Sequence, residues 1–556
     1  MFCISTVYIF QNVPIRLDLS NDSGSGRAIL QRAFSAFGSW AELAQEAMKK
    51  TGTEHSGSLI NRILDGLLWS FFSTGSQSIL SILVLIVLAR LLTPKEFGIV
   101  NAALIVIGIS TIFAQLGVGP AIVQRKDLEP RHLTTGNTLS IMLGFFLSGI
   151  IFIFSSAISS FFKMRELTSI LQPLSVILVF EGASTIPRAL LHRELKFKLL
   201  VFVDLSGYFF GYGIVGICLA FAHAGVWALV TAQLVQSISQ WLLLLKLQAY
   251  PKTLKIEKQA LRELSNFGGG FTLASIFNYF ARNGDYLVVG RFLGAENLGL
   301  YSRAYKLMTV PATIFSGVAD RVLFPAMAKL QNDDLKLQMA HKRNIAIVSL
   351  LSLPLSAAMI ILAPEIITIL LGEKWKGAII PFRILSIGAL FRASYKISEL
   401  LARAKGSVYK IAFSQGAYCL LVITGACIGQ KWGIIGVSWG VLFALLGMFF
   451  LLSSISMRLT CLNLKTFLAE HLPSGKITIV FLTVLQVLVV VLRDNSFSPL
   501  IIVVLCLFAS IITLYLLYNI NKVFFFGENG LWFILTVSEF LSKYFVRFAI
   551  LNKNHK

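Results

Sequence analysis

Charged side chains inside long apolar stretches are the residues of this sequence with the clearest chemical meaning. Most lie in the second half, where seven basic and three acidic residues leave an excess of four positive charges: Arg282, Asp285, Arg303, Lys306, Asp320, Arg321, Arg383, Arg392, Lys396 and Glu399. The first half has only Glu181 and Asp204 in such positions. An ionisable group inside a membrane span costs at least ~2.5–3.5 kcal/mol on insertion scales and usually faces a cavity or a partner. The pattern predicts a hydrated, cationic cavity.

An excess of fixed positive charge suits an anionic ligand, and Arg and Lys are the usual partners of phosphate. The predicted substrate-binding residues are Arg282, Arg303, Lys306, Arg392 and Lys396. Aromatic and amide side chains beside them in the sequence suit a sugar: Tyr279, Tyr286, Tyr301, Tyr305, Tyr395, Asn278 and Asn283. Carboxylates inside spans are the usual carriers of protons or Na⁺. The predicted ion-coupling residues, in order of rank, are Glu181, Asp285 and Asp204.

Several of these charges also have structural interpretations, which the sequence leaves open. Arg282 and Asp285 lie three residues apart on one helical face, where they can neutralise each other. Lys396 and Glu399 have the same spacing. Asp204 lies near the start of its apolar stretch, where it can be a helix cap.

Other charges lie close to the ends of their apolar stretches. Arg303 and Lys306 can therefore be interfacial anchors, and Arg321 and Arg383 can extend towards the interface. Glu181 differs, because no basic residue lies within one helical turn of it and a local ion pair cannot satisfy it.

Catalytic and metal-binding motifs are absent from the sequence. It has no GxxxxGK[ST], HExxH or GxSxG motif, its six cysteines form no CxxC, and its seven histidines are scattered, mostly in predicted loops. We therefore predict no catalytic residue, no metal site and no bound cofactor, and a protein that is not an enzyme.

The composition is typical of a polytopic membrane protein. The 556 residues are 56% hydrophobic and 14% charged, with a mean hydropathy of +0.76, whereas soluble domains have about 25% charged residues. The net charge of +22 is dispersed over short segments between apolar runs. A basic stripe that would indicate nucleic-acid binding is therefore not present.

Fourteen apolar stretches are long enough for membrane-spanning helices of about 20 residues. They are 66–89, 98–119, 134–156, 167–187, 199–221, 225–245, 267–290, 298–325, 344–364, 378–401, 411–430, 433–456, 477–492 and 499–519. With a cytoplasmic N-terminus, the outer loops hold nine Lys and Arg residues, and the tails and inner loops hold 33. Because cytoplasmic loops retain positive charge, this split predicts that both termini are cytoplasmic.

The chain also contains an internal repeat. Residues 87–98 align without gaps on 288–299 at an offset of 201, and shorter matches follow at offsets of 210 and 211. Each period covers six spans, an even number, so both copies enter the membrane in the same sense. This predicts an all-α fold of two parallel six-helix bundles, 59–246 and 247–457, with a substrate site between them. Helices 13 and 14 (458–522) are additional.

Both ends of the chain fall outside this repeat. Residues 1–58 are a polar extension without the features of a signal peptide, and up to residue 47 they are either a start-site artefact or dispensable. Residues 523–556 mix aromatic and basic side chains. They are typical of an amphipathic helix on the cytoplasmic interface.

Four stretches resemble a known family: RNGDYLVVGRFLG (282–294), LGLYSRA (298–304), ARLLTPKEFG (89–98) and GVGPAIVQR (117–125). Together with the fourteen spans and the six-helix repeat, they are similar to bacterial Wzx-type polysaccharide or lipopolysaccharide O-antigen flippases. These belong to the multidrug, oligosaccharidyl-lipid and polysaccharide exporter superfamily. The likeness covers residues 59–519, and residues 1–47 depart from the family.

The resemblance implies a multi-pass protein of the bacterial inner membrane. It implies a substrate, an oligosaccharide repeat unit on undecaprenyl pyrophosphate, and rocking of two bundles driven by a proton or sodium gradient. Implied partners are this lipid-linked oligosaccharide, membrane lipids, and a glycan polymerase with other export machinery. The alternatives are a lipid II flippase, a drug exporter of the same superfamily, and a membrane polymerase or ligase of lipid-linked glycans. The last would need a long outer loop with Arg and His, and a cationic drug would need an acidic cavity.

The predicted topology can be tested with cysteine substitutions. Lys95→Cys and Glu296→Cys should react with an impermeant thiol reagent in intact spheroplasts, because the charge split places loops 90–97 and 291–297 outside. Arg193→Cys should be protected. Labelling at Arg193 with protection of the other two would contradict the orientation.

Overall fold

The computed structural model describes residues 77–251, 253–318 and 323–553, and every regular element within these ranges is a helix. The polar extension 1–58 lies outside the described residues. The helices of the first half are α1 (Gln77–Leu91), α2 (Pro94–Gln115), α3 (Val118–Gln124), α4 (Pro130–Phe162), α5 (Leu167–Ser175), α6 (Ile177–Arg193), α7 (Phe197–Tyr208), α8 (Ile217–Phe221) and α9 (Val226–Leu247). A π-helical stretch, Phe209–Gly216, joins α7 to α8.

The second half begins with a very long helix and ends with another. Its helices are α10 (Lys258–Val318), α11 (Phe324–Lys329), α12 (Asp334–Ile361), α13 (Ala363–Leu370), α14 (Ile379–Ala404), α15 (Val408–Gly429), α16 (Gly433–Thr460), α17 (Leu464–Ala469), α18 (Leu472–Asp494) and α19 (Pro499–Lys553). Glycine with positive φ interrupts both long helices, at Gly294 (φ 84°) in α10 and Gly527 (φ 66°) in α19. We call residues 258–293 α10a and residues 295–318 α10b.

Ten helical stretches among the described residues are long and apolar enough to cross a membrane. They overlap eleven of the predicted spans, because Val408–Thr460 contains two of them. The seventh and eighth predicted spans lie in α10, and α1 overlaps the described part of the first. The chain is an all-helical, multi-pass membrane protein. The total of fourteen crossings and their grouping into two bundles stay predictions.

The start of α2 is set by local sequence. The N–H of Glu96 donates to Thr93 Oγ1 (3.4 Å), the Glu96 carboxylate accepts the N–H of Thr93 (2.7 Å), and Pro94 occupies the first helical position. This is a capping box with a favourable proline. In the second half, α10b begins directly after the turn at Gly294. The repeated stretch is therefore the turn from one helix into the next in both halves.

The two copies of the repeat meet at a contact between glycines. A Cβ atom on Gly98 would lie 1.7 Å from the carbonyl oxygen of Ala295, and one on Gly299 would lie 1.8 Å from that of Pro94. With the repeat offset of 201, Pro94 is equivalent to Ala295, and Gly98 is equivalent to Gly299. Each half therefore contributes equivalent residues to the contact, as the two subunits do in an isologous contact about a two-fold axis.

A second pair of contacts follows the same repeat. The Arg90 Nη2 group, at the end of α1, donates to the carbonyl oxygen of Ile369 (2.8 Å) in the second half. Arg291, which the offset makes equivalent to Arg90, places its guanidinium over the ring of Phe161 (5.1 Å) in the first half. The first helix of each half thus ends against the other half.

The last two long helices attach to the second half through an ion pair. Arg493, at the end of α18, makes two bonds to the Glu365 carboxylate, at 2.8 and 2.9 Å, and donates to the carbonyl oxygen of Ile361 (3.2 Å). The domain boundaries predicted from the repeat are not tested by these contacts. For the predicted tail 523–556, α19 continues to Lys553, and the side chains after Leu535 lie outside the described residues.

Candidate functional site

Asp285 on α10a is the buried carboxylate of the candidate site. Its side chain is 1% exposed, the Tyr301 hydroxyl donates to its Oδ2 atom (2.8 Å), and the backbone N–H of Tyr286 donates to Oδ1 (2.9 Å). Arg282 is exposed and makes no ion pair with a described residue. The suggestion that Arg282 neutralises Asp285 is therefore wrong for this conformation.

Three tyrosines surround this carboxylate. The ring centroids of Tyr286, Tyr301 and Tyr305 lie 5.5–6.2 Å apart. The turn at Gly294 brings Tyr286 of α10a against Tyr301 and Tyr305 of α10b, and edge-to-face packing holds Tyr286 against each of them. The three rings form a wall of aromatic faces with hydroxyl groups.

Arg392 reaches this wall from α14. Its Nη1 group donates to the Tyr305 hydroxyl (2.8 Å), and its guanidinium lies 5.6 Å from the Tyr305 ring centroid. Tyr395 and Tyr418, with centroids 6.4 Å apart, are close enough to interact electrostatically with it. An arginine with aromatic and hydroxyl partners but no carboxylate in direct contact keeps its charge available for an anion.

Arg303 on α10b lies between the two halves. Its guanidinium lies 4.7 Å from the Phe97 ring centroid on α2, and its buried Nε atom has no hydrogen-bond acceptor among the described residues. Lys306, one turn further along, is close enough for electrostatic interaction with it. The interpretation of Arg303 as an interfacial anchor stays a prediction, although this part of its side chain is buried within the protein.

The first half contributes two tyrosines that the sequence analysis missed. The rings of Tyr208 and Tyr212 stack 5.2 Å apart with an interplanar angle of 21°, and the Tyr212 hydroxyl donates to Gln233 (2.8 Å). Both lie near Arg303. Their i, i+4 spacing beside a glycine-rich stretch was the available signal. The π-helical turn that begins at Phe209 orients them, and such turns are frequent at functional sites.

Arg392 thus binds Tyr305, which packs against the tyrosines beside Asp285, and Arg303 and Lys306 lie on the same helix α10b as Tyr305. These three basic residues and Asp285, with their tyrosines, are called the arginine–tyrosine cluster. Lys396 is separate, because its ammonium group binds Glu399 at 3.0 Å, as the structural interpretation of this pair proposed. Asp320 and Arg321 lie outside the described residues. The cluster has three basic groups and one acidic group, which suits an anionic ligand.

The carboxylates of the first half lie apart from this cluster. Asp204 pairs with Arg188 (3.0 Å) and accepts a longer bond from Gln240 (3.4 Å). It is not a helix cap, because the cap position of α7 is Lys196. Glu181 is half-buried, and its carboxylate makes no hydrogen bond or ion pair within the described part of the chain.

Comparison with solved structures identifies the fold as that of a transporter. The structure "Lipid II flippase MurJ, inward closed conformation" aligns with a TM-score of 0.65 and 16% sequence identity, over 81% of this chain and 99% of that chain. At this identity the likeness concerns the fold alone. The cluster therefore lies in a fold of the MurJ type.

Sequence comparison assigns the family. Residues 87–380, more than half of the chain, match the family described as "Polysaccharide biosynthesis protein", and the chain belongs to this family of Wzx-type polysaccharide flippases. The Escherichia coli lipopolysaccharide biosynthesis protein WzxC is 28% identical over 68% of this chain and 77% of its own length. The Rhizobium meliloti succinoglycan biosynthesis transport protein ExoT is 24% identical over 61% and 69%. The resemblance found in the sequence is confirmed.

The cluster predicts how strongly each arginine contributes to export. Arg303→Ala and Arg392→Ala should each weaken export about 10–100-fold, since a hydrogen bond to a charged group contributes about 1.5–3 kcal/mol. Arg282→Ala should weaken export less, because Arg282 is exposed and outside the cluster. The measurement is polysaccharide export in a strain that lacks its own flippase, normalised to protein in the membrane. Equal losses in all three variants would show that total charge matters rather than the cluster.

Proposed function

We propose that this protein flips an oligosaccharide linked to undecaprenyl pyrophosphate, the repeat unit of an O-antigen or exopolysaccharide, across the bacterial inner membrane. The observation that carries the proposal is the position of Arg303 and Arg392, which have aromatic partners, Phe97 and Tyr305, and bind no carboxylate directly among the described residues. A pyrophosphate accepts several charge-assisted hydrogen bonds from such groups, and the tyrosine faces and hydroxyls suit sugar rings.

The alternatives differ in the ligand that the cluster has to bind. A cationic drug is disfavoured, because the cluster holds three basic groups and a single carboxylate, which already accepts two hydrogen bonds. Lipid II carries the same pyrophosphate and differs in its headgroup. A polymerase or ligase would need a catalytic group. The relatives WzxC and ExoT are named for lipopolysaccharide biosynthesis and for succinoglycan biosynthesis transport, which favours a transporter over an enzyme.

The proposed function predicts which substrates are flipped. Proteoliposomes containing the purified protein should move a fluorescent undecaprenyl-pyrophosphate oligosaccharide between leaflets, and Arg303→Ala with Arg392→Ala should remove this activity. Lipid II in matched vesicles is the comparison substrate. Faster flipping of lipid II would support the lipid II alternative, and flipping of neither substrate would contradict the proposal.

Alternating access requires one end of the path to close while the other opens. The contact between Gly98 and Gly299 lies at the end that the charge distribution predicts to be periplasmic. The indole N–H of Trp375 adds a bond between the halves there, donating to the carbonyl oxygen of Ala89 (2.8 Å). These contacts support the proposal that this conformation is closed towards the periplasm. In an alternating-access cycle, the substrate site would open towards the cytoplasm while this contact is closed.

The glycine contact predicts that weakening it makes buried residues of α10b more accessible from the periplasm. In Gly98→Ala, the added methyl group would meet the Ala295 carbonyl, so the helices have to separate. A reporter cysteine at Ser302, which is buried on α10b, should then react faster with an impermeant thiol reagent applied from the periplasm. Gly269→Ala is the matched control, because a Cβ atom there has nothing within 4 Å. Unchanged labelling in Gly98→Ala and Gly299→Ala would exclude this contact as the closure.

We propose that a proton or sodium gradient drives transport and that the coupling ion binds at a carboxylate. No other cofactor is proposed. Glu181 remains the first candidate, because its carboxylate has no hydrogen-bond partner among the described residues. Asp285 is the second candidate, since it lies inside the arginine–tyrosine cluster. Asp204 is the weakest, because its ion pair with Arg188 gives it a structural role.

The ranking predicts different responses to an imposed gradient. Glu181→Gln and Asp285→Asn should each reduce gradient-stimulated flipping to the unstimulated rate, because an amide cannot bind or release the ion. Asp204→Asn should lower stability more than stimulation. The measurement is flipping in proteoliposomes with an inward proton or Na⁺ gradient. If Glu181→Gln and Asp285→Asn both keep full stimulation, these carboxylates do not couple transport.

A further inference from the structure

A polar surface lies in the first half, where α7 and its π-helical continuation pack against α9. Tyr208 and Tyr212 stack there, and the Tyr212 hydroxyl donates to Gln233 of α9 (2.8 Å). Gln236 lies three residues further along α9. These four residues, Tyr208, Tyr212, Gln233 and Gln236, are called the glutamine–tyrosine patch. All four side chains are uncharged at neutral pH.

Two glycines bring the helices close enough for these side chains to lie together. A Cβ atom on Gly207 of α7 would lie 2.5 Å from the Gln240 Cγ atom of α9. A Cβ atom on Gly211, in the π-helical stretch, would lie 2.4 Å from the carbonyl oxygen of Ala232 and 2.8 Å from the Gln236 Cβ atom. The close approach depends on the missing side chains of these glycines. The helix backbones therefore fix the position of the patch.

The glutamines of the patch face away from the outer side of α9. Trp227 and Leu242, which are 45% and 46% exposed, mark the outer, apolar face of this helix. With 3.6 residues per turn, Gln233 and Gln236 lie on the other side of the helix. They share that side with Gln240, which is 8% exposed. The patch therefore faces the interior of the protein, where polar groups avoid the cost of contact with lipid.

Hydrogen bonding within the protein uses only part of the patch. The bond from Tyr212 to Gln233 joins two helices, as glutamine side chains commonly do in membrane bundles. The N–H groups of the Gln233 amide, the whole Gln236 amide and the Tyr208 hydroxyl have no hydrogen-bond partner among the described residues. These polar atoms are not fully buried, and their side chains are half-buried. They are therefore open to a ligand that enters the interior.

Charged groups border the patch but leave it neutral. One turn before Tyr208, the Asp204 carboxylate pairs with Arg188 (3.0 Å) and accepts a longer bond from Gln240 (3.4 Å), so its charge is balanced. Both tyrosines also lie near Arg303 of the arginine–tyrosine cluster. The first half therefore offers a neutral, hydrogen-bonding surface, whereas the cluster of the second half is cationic.

We propose that the glutamine–tyrosine patch binds an uncharged sugar ring of the substrate, while the arginine–tyrosine cluster holds its pyrophosphate. This inference rests on the proposed function. An amide has both donors and an acceptor, so the free amide groups of Gln233 and Gln236 can bind neighbouring sugar hydroxyls, which also donate and accept. The Tyr208 ring offers an apolar face to the C–H side of the sugar. Because a site built to bind hydroxyl groups rejects ligands that lack them, the patch selects which repeat unit is transported.

Binding to the full-length protein in nanodiscs can separate the two parts of the ligand. The probes are undecaprenyl pyrophosphate without a sugar and the same lipid with one glucose, galactose or N-acetylglucosamine. The wild type should bind at least one sugar-bearing lipid more tightly than the bare lipid. Gln236→Leu and Tyr208→Phe break no hydrogen bond among the described residues. Each should reduce this gain about 2–10-fold, as expected for a neutral hydrogen bond, and leave the affinity for the bare lipid unchanged.

Gln172 of α5 provides the matched control. It is also a half-buried glutamine of the first half, but its amide donates to the Ser155 hydroxyl of α4 (3.3 Å), outside the patch. Gln172→Leu should leave the affinities for all the lipids unchanged. A loss of the sugar-dependent gain as large as that in Gln236→Leu would show a general structural response and would overturn the inference.

The bare lipid distinguishes failure of the patch from failure of the proposed function. Arg392→Ala should weaken binding of the bare and the sugar-bearing lipids alike, because both carry the pyrophosphate. If the wild type binds the bare lipid and no sugar raises its affinity, or if the double variant Gln236→Leu with Tyr208→Phe keeps the full gain, the patch is not a sugar site and the proposed function stands. Absence of binding of every lipid would contradict the proposed function, and this inference with it.

Discussion

The backbone contact between α2 and α10b at Gly98 and Gly299 sets the geometry on which the candidate site depends. Each glycine lies so close to a carbonyl oxygen of the other helix that no side-chain atom fits. This approach places Phe97, the neighbour of Gly98, over the guanidinium of Arg303 and within 5.4 Å of the Trp375 ring. A single close contact therefore joins the repeat-related helices and positions an arginine of the site.

The arginines of the site are held by aromatic rings and hydroxyls, and the carboxylate beside them has its own donors. A cation over an aromatic face gains about 0.5–2 kcal/mol, with the larger values for desolvated groups, which offsets part of the cost of ~2.5–3.5 kcal/mol for a charge inside a span. The hydrogen bond from Arg392 to Tyr305 adds to this. An incoming anion can replace or add to these contacts without breaking a buried ion pair, whose loss would be expensive. These surroundings offset part of the cost of the buried charges without a ligand, and they suit an anion.

Much of the fold could be predicted from the sequence, because apolar length and the repeat are properties of contiguous residues. All fourteen predicted spans overlap helices among the described residues, and the family resemblance is confirmed. The partners of individual charges were not predictable in the same way. Arg282 and Asp285 have the spacing of an ion pair, yet Tyr301, sixteen residues away, takes the carboxylate, because the turn at Gly294 brings α10b back to it.

The sequence analysis missed these contacts for one reason. Tyr208 and Tyr212 lie near Arg303 across the boundary between the halves, and periodicity within one stretch carries no information about the proximity of two stretches. Asp204 was interpreted from its position near the start of an apolar run, but its partner Arg188 belongs to the preceding helix. Local spacing identified pairs such as Lys396 and Glu399, which are one turn apart. Local spacing did not identify partners that come from another part of the chain through tertiary packing.

The carboxylates predicted to couple transport have different surroundings in the two halves. In the first half, the Glu181 carboxylate has no hydrogen-bond partner among the described residues. In the second half, the Asp285 carboxylate accepts two hydrogen bonds. An ion can drive a transition between two states only if its affinity differs between them. A carboxylate without partners meets this condition more readily, because hydration in a second conformation would change its affinity for an ion. This is the physical reason why Glu181 ranks above Asp285 among the predicted coupling residues.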